Sequence, residues 1–111
     1  MTSKKLVIAD PENILWQKLE GLPEGVLVKI LMCNEKTGAM SLLAKTDKKM
    51  KRAKHKHPSD VHTFVLQGKV VDKKVGEIRK GMYCFFPANV EHGPEETEAG
   101  TILFLYASGP I

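Results

Sequence analysis

The four histidines of this sequence are the residues whose type and spacing best suit chemistry. His55, His57 and His62 follow one another closely, and His92 comes after a second segment punctuated by glycine and proline. Side chains two positions apart on a β-strand point to the same face, so His55 and His57 can direct their imidazoles at one point. A turn at residues 58–60 would bring His62 back towards that point, because proline cannot donate to a strand ladder and marks a break. The pattern therefore predicts a metal site.

The chemistry of such a site follows from its ligands. Neutral imidazoles suit Zn, Cu, Fe, Ni and Mn, and histidine alone does not choose among them. Four protein ligands on a six-coordinate iron or manganese would leave two positions for a substrate and dioxygen, whereas a four-coordinate zinc would leave none. Because neutral ligands do not cancel the charge of the ion, the site would act as a Lewis acid favouring enolates or carboxylates. We expect one divalent transition metal ion (Fe, Mn, Zn or Ni) and a small-molecule ligand or substrate.

The chain around the histidines predicts short strands separated by turns. Val26–Cys33 is a strongly apolar run, and the turn cluster at residues 34–38 makes residues 39–44 the returning strand of a hairpin. No long helix is predicted. Asp10-Pro11-Glu12 could begin a turn or two of helix, and residues 6–9 could instead form an edge strand. Four further strands are expected at residues 61–66, 69–71, 82–86 and 101–106. With a strand in the basic segment before His55, and with or without the edge strand, the total is about seven or eight, which favours an all-β sandwich or barrel.

Length and composition are those of one ordinary globular domain. The chain has 111 residues, 42% of them hydrophobic and 27% charged, which is enough for a single core. No apolar run is long enough to cross a membrane, and the apolar residues before Asp10 are too few for a secretory signal. We therefore expect a cytoplasmic protein that does not act at a membrane.

Basic residues are concentrated just before the first histidine. Residues 45–56 hold seven of the seventeen lysines and arginines. Such a cluster could bind nucleic acid, but it has no interleaved aromatic residues and no recognisable nucleic-acid motif, which favours the solvated face of a strand and its loop. If the strand continued into the histidines, Lys51 would face inwards with His55 and His57, and Arg52 would face out. Lys51 is therefore a candidate contact for an anionic ligand.

Two segments of the chain resemble the paired motifs of the cupin superfamily. In residues 55–68 the pattern is His55-x-His57, a ligand position five residues later, and a Val-Leu-x-Gly turn. In residues 81–92 it is Gly81, five residues, Pro87 and then His92. Where the second motif usually has glycine two residues after the proline, this chain has Asn89, which also tolerates left-handed backbone geometry.

This resemblance implies a fold and a ligand set. The fold is an all-β double-stranded β-helix, the cupin jelly-roll barrel, with little helix, formed as one domain over residues 1–111. The metal ligands are expected to be His55, His57, His62 and His92. Cupins of this size commonly pair through edge strands, so a homodimer is expected as well.

Within the cupins, residues 22–26 (Leu-Pro-Glu-Gly-Val), the turn at residues 36–39 and the spacing of the histidines resemble one branch. It contains the ChrR-type metal-sensing domain and single-domain dioxygenases that cleave acetylacetone or dihydroxyacetophenone. Two functions are implied: a mononuclear Fe- or Mn-dependent dioxygenase acting on a small diketone-like or oxygen-rich molecule, or a non-enzymatic metal- or ligand-sensing module.

This chain departs from the family at two positions. His62 stands where most cupins carry glutamate, and Phe86 stands where the diketone-cleaving branch often has one. Phe64 and Phe86, one from each motif, are expected to line the substrate pocket together with Lys51.

Overall fold

The computed structural model describes residues 6–111, which form an almost purely β structure. Within them the one helical element is a 3-10 turn, Pro11–Asn13, capped by the Asp10 side chain, which accepts a hydrogen bond from the amide of Glu12. Residues 6–9 form no strand, so the helix-start signal prevails over the edge-strand alternative. No helix in this part of the chain is long and apolar enough to span a bilayer. The strands are β1 Val26–Cys33, β2 Met40–Thr46, β3 Met50–Arg52, β4 Val61–Gln67, β5 Lys69–Asp72, β6 Gly76–Arg79, β7 Tyr83–Phe86, β8 Glu95–Thr97 and β9 Thr101–Ala107.

The strands make two antiparallel sheets that face each other. A five-stranded sheet has the order β1-β2-β9-β4-β7, and a four-stranded sheet has the order β3-β8-β5-β6. The predicted hairpin is present as the β1–β2 pair, with Val26 opposite Thr46. Elsewhere, strands that are far apart in the sequence are neighbours, as in the β2–β9 and β3–β8 pairs. The chain therefore crosses from one sheet to the other between them. The all-β prediction with a jelly-roll arrangement is confirmed.

Strand β4 shows how the sequence builds the core. Its residues alternate, so that Val61, Thr63 and Val65 are buried while His62 and Phe64 lie on the outer face. The same alternation in the other strands brings small and branched side chains into the space between the sheets. The buried apolar residues of the described chain are Val28, Leu42, Ala44, Val61, Val65, Val70, Ile78, Phe86 and Ala107.

Two short strands were not predicted from the sequence. β6 lies between the expected strands at residues 69–71 and 82–86, and β8 lies between those at residues 82–86 and 101–106. Each has one buried side chain, Ile78 in β6 and Thr97 in β8. A single inward residue among charged neighbours produces no hydrophobic period, so these segments become strands only by pairing, β6 with β5 and β8 with β3 and β5.

The basic segment is also interrupted. β3 ends at Arg52, and Ala53 and Lys54 leave the strand before His55. The alternation therefore does not carry through to the histidines. Arg52 faces the space between the sheets and Lys51 is exposed, which reverses the predicted orientation of the pair.

Candidate metal centre

Backbone hydrogen bonds join the two histidine-bearing segments. His55 and His92 form an antiparallel bridge in which the amide of each donates to the carbonyl of the other at 2.9 Å. The amide of Asn89 donates to the carbonyl oxygen of His57 at 2.7 Å. Asn89 has a φ of 61°, the left-handed geometry that its side chain tolerates. The chain therefore sets positions 55, 57 and 92 side by side.

The three imidazoles meet around one point. His57 Nε2 lies 3.1 Å from His92 Nε2, and the ligand nitrogens of His55, His57 and His92 all lie within 4.8 Å of one another. Two nitrogens bound about 2.0–2.1 Å from one tetrahedral or octahedral ion stand about 2.9–3.4 Å apart. His55 Nε2 is buried and has no hydrogen-bond partner within residues 6–111. Because a buried polar atom normally has a partner, this nitrogen fits the role of a metal ligand. The cluster can hold a metal ion.

Hydrogen bonds on the far side of two rings expose the correct nitrogens. His55 Nδ1 lies 2.8 Å from the carbonyl oxygen of Ala53, and His92 Nδ1 lies 2.9 Å from Asp72 Oδ2. Carbonyl and carboxylate oxygens only accept, so both Nδ1 atoms carry the proton and both Nε2 atoms present a lone pair. Metal-bound histidines typically make this outer hydrogen bond, which fixes the tautomer and orients the ring.

Asp72 is held as a buried carboxylate. Its other oxygen, Oδ1, accepts hydrogen bonds from the amides of Lys74, Val75 and Gly93 at 2.8, 3.3 and 3.2 Å. Burial by itself raises the pKa of this carboxyl, but the hydrogen bonds from His92 and from the three amides lower the pKa to about 2. Asp72 is therefore ionised at neutral pH and anchors His92.

His55 and His57 are held neutral at physiological pH. Burial lowers the pKa of His55, and it lowers the pKa of His57 to about 4, with His55 and His92 acting in the same direction. A histidine must give up its second proton before it can bind a metal. Both residues are thus in the form that ligation requires.

A cavity of about 100 Å³ lies between the sheets beside His57 and His92. Most of its wall is apolar. Phe86, which is 8% exposed, is part of this wall and stacks on His92 with 4.1 Å between ring centroids. The charged residues of the wall are Arg52 and Glu95.

Glu95 stands on the Asp72 side of His92. Its Oε2 lies 3.6 Å from His92 Nδ1, away from the nitrogens that face one another. Burial raises the pKa of Glu95 to about 7, an effect that Arg52 opposes and Asp72 reinforces. At neutral pH this carboxyl is poised between its two protonation states.

His62 is not brought to the cluster, so the predicted four-histidine site does not form. It lies on the outer face of β4, where its Nδ1 hydrogen-bonds the hydroxyl of Tyr83 and its ring centroid is 4.8 Å from that of Phe85. The chain does re-enter a strand at Val61, but Val61 is buried, and the next residue of a strand must point the other way.

Of the three predicted pocket residues, Phe86 lines the cavity, whereas Phe64 and Lys51 lie outside it. Phe64 shares the outer face with His62 and is 40% exposed. Lys51 lies in an open groove on the outside of the four-stranded sheet, where it pairs in register with Glu96.

The sequence reading missed Asp72, Arg52 and Glu95. Asp72 begins the turn between β5 and β6, and its Oδ1 accepts hydrogen bonds from two amides of that turn. Its contact with His92 spans twenty residues of sequence and had no local signal. Glu95 had a weak local signal in the sequence, because it is the third residue after His92.

Two antiparallel sheets around a three-histidine cluster define a cupin barrel, and the comparison with family models specifies which kind. The model of the ChrR cupin-like domain matches residues 4–111. The chain belongs to this family. No curated protein matches the sequence.

Solved structures share the fold. An RmlC-like cupin from Shewanella frigidimarina is 22% identical, with a TM-score of 0.74, and the match covers 99% of this chain and 94% of that chain. An acetylacetone dioxygenase from Acinetobacter johnsonii is 16% identical, with a TM-score of 0.73 and coverages of 99% and 77%. The complex of Rhodobacter sphaeroides SigE with the anti-sigma ChrR contains a chain that is 24% identical, with a TM-score of 0.65; the match covers 86% of this chain and 50% of that one. At such identities the likeness establishes the fold alone.

Proposed function

We propose that this protein is a mononuclear Fe- or Mn-dependent enzyme of the dioxygenase type acting on a small diketone-like or oxygen-rich molecule. The observation that carries the proposal is the composition of the cluster. Within the described residues it contains three imidazole nitrogens and no carboxylate, because Asp72 and Glu95 both lie on the Nδ1 side of His92. Three protein ligands leave open coordination positions on a five- or six-coordinate ion. A bound iron or manganese would supply Lewis acidity and a place for dioxygen chemistry there.

The surrounding residues supply three features that suit such a reaction: an apolar wall, an anchored histidine and a titratable carboxyl. Phe86 and the aliphatic residues give the cavity beside His57 and His92 a largely apolar wall. Asp72 holds the ring of His92 in place. Glu95, with its pKa raised to about 7, can hold or release a proton at neutral pH next to the cavity. The acetylacetone dioxygenase among the structures of the same fold supports the choice of reaction class.

The second candidate is a non-enzymatic metal- or ligand-sensing module of ChrR type. The family match over residues 4–111 favours it. So does Phe86, which places an aromatic ring rather than a carboxylate against His92. Tight zinc binding, together with no oxygen uptake by the iron-loaded and manganese-loaded protein, would support this candidate over the enzyme.

The test is oxygen uptake by the iron-loaded and manganese-loaded protein with acetylacetone and a panel of hydroxyketones and small oxygen-rich acids such as pyruvate. His57→Ala removes one cluster nitrogen and is the inactive reference, while His62→Ala removes a histidine from the outer face. We expect uptake by the wild type and by His62→Ala only. Uptake no greater than that of His57→Ala across the panel would remove the enzyme proposal.

A further inference from the structure

Arg52 is the cationic side chain of the interior cavity. It lies on β3, is half-buried, and borders the cavity that also touches His57 and His92. Within residues 6–111 its guanidinium has no hydrogen-bond or ion-pair partner. Guanidinium groups in partly buried positions are normally paired, because the charge loses hydration there. The N–H groups of Arg52 that have no partner therefore point to a ligand.

The acidic neighbours of Arg52 do not take up its donors. Asp72 uses one oxygen for His92 and the other for three backbone amides. Glu95 is the register partner of Arg52 in the β3–β8 pair, yet the two form no ion pair. Lys51, the next residue, faces the outside. Among residues 6–111, the guanidinium of Arg52 is thus the one cationic group that borders the cavity, and its N–H groups are free to bind a ligand.

The position of Arg52 also suits a ligand that arrives from solvent. Arg52 and Glu95 border both the interior cavity and the open groove outside the four-stranded sheet. The rim of that groove carries Lys51, Lys69 and Lys73. Lysines around a cleft raise the local concentration of anions. An anion entering from the groove would meet Arg52 before the histidines.

We propose that Arg52 binds the carboxylate of a small α-keto or α-hydroxy acid in this cavity, which makes the ligand an anionic member of the oxygen-rich molecules named in the proposed function. The planar guanidinium matches a carboxylate through two parallel hydrogen bonds. The cavity, about 100 Å³, corresponds to roughly three water molecules of liquid volume, so it admits only a few non-hydrogen atoms. The inference deepens the proposed function by naming the ligand class of the same site.

The test compares pyruvate with pyruvamide, its neutral counterpart of nearly the same shape. Calorimetric titrations use the zinc-loaded protein, in which no redox step interferes, and the metal content of every variant is measured alongside. Arg52→Gln is compared with Lys54→Gln, which removes the same charge from an exposed residue two positions away that borders neither the cavity nor the groove. We expect Arg52→Gln to weaken pyruvate binding about tenfold to a hundredfold and to leave pyruvamide binding unchanged. Lys54→Gln should change neither affinity more than about twofold.

A second measurement does not depend on a variant that folds. In the wild-type protein the Nε–H proton signal of Arg52 should shift on addition of pyruvate and stay in place on addition of pyruvamide. The proposal is overturned if pyruvate does not bind, if pyruvamide binds the wild type as tightly, or if the Arg52 signal does not move. Pyruvate binding without oxygen uptake would uphold the role of Arg52 and remove the enzyme proposal, so the two can fail separately.

Discussion

His57 Nε2 and His92 Nε2 face each other at 3.1 Å although 35 residues separate them in the sequence. Both residues are buried, at 8% and 4% exposure, and burial keeps His57 neutral. Two imidazole nitrogens at this distance can share one proton at most. A divalent cation between them, with His55 Nε2 as a third donor, would satisfy all three nitrogens. The close approach of these nitrogens can be tested directly by measuring which histidines bind metal.

His57→Ala and His92→Ala should each abolish stoichiometric metal binding, because each removes one of three donors. His62→Ala should retain one equivalent of metal, since His62 faces the outer surface. Elemental analysis of protein purified without added metal, followed by competition with a chelator, measures both effects. Loss of metal from His62→Ala as large as from His57→Ala would contradict the three-histidine site.

Asp72→Asn should weaken metal binding by about tenfold to a hundredfold. The amide is nearly the same size as the carboxylate, but it no longer accepts the Nδ1 proton of His92 as a charged partner. A chelator titration of the variant gives the affinity, and far-ultraviolet circular dichroism checks that the fold is kept. An affinity equal to that of the wild type would show that His92 needs no carboxylate to orient it.

The metal-free protein should show two opposing dependences of stability on pH. His57 has a folded pKa of about 4 against 6.5, so the unfolded chain binds more protons in that window and stability is lost as the pH falls from 6.5 to 4. Glu95 has a folded pKa of about 7 against 4.5. The folded state therefore binds more protons, and its stabilising effect is lost as the pH rises through 7.

The two effects oppose each other between about pH 4.5 and pH 6.5, so the wild type should change little there. In Glu95→Gln the free energy of unfolding should fall as the pH is lowered across this window. In His57→Gln it should rise instead, unless the lowered pKa of His55 offsets part of the change. Urea unfolding with a chelator present measures all three proteins. Equal slopes in the three would contradict the assignment.

Gly68→Ala should destabilise the fold more than Gly76→Ala does. Both glycines have a positive φ, +79° and +93°, which costs an L-residue about 1–2 kcal/mol. A Cβ on Gly68 would also stand 2.8 Å from Thr101 Cα, whereas a Cβ on Gly76 meets nothing within 4 Å. We expect a further loss of about 1–3 kcal/mol at Gly68, measured by urea unfolding. Equal losses would show that Thr101 moves aside freely.

The expected homodimer stays a prediction, and the outer face of the five-stranded sheet is where it can be tested. Large exposed apolar residues cluster there, namely Phe64, Leu66, Tyr83, Phe85 and Tyr106. An exposed apolar patch of this kind marks an interaction surface. Sedimentation velocity should show a dimer that Phe85→Lys converts to a monomer, while Val75→Lys, in the exposed turn between β5 and β6 of the other sheet, leaves it intact. A monomeric wild type, or equal effects of the two substitutions, would contradict pairing through this face.

Much of the fold was predictable because its signals are local. Val26–Cys33 and the turn after it predict the first hairpin from apolar runs and turn residues alone. Asn89 was recognised as a residue that tolerates left-handed geometry, and it adopts a φ of 61°. The two short polar strands β6 and β8 were not predictable, since their strand geometry depends on pairing, with β5 for β6 and with β3 and β5 for β8.

By itself the sequence determined the β architecture, the two motifs and the nearness of His55, His57 and His92. The tertiary structure decided which side chains enter the barrel. Side-chain direction in a strand reverses at every residue, so one break after Arg52 turns Arg52 inward instead of Lys51, and one buried Val61 turns His62 outward. Asp72 and Glu95 join the site for a related reason: their contacts with His92 depend on how two sheets pack, which no local pattern encodes.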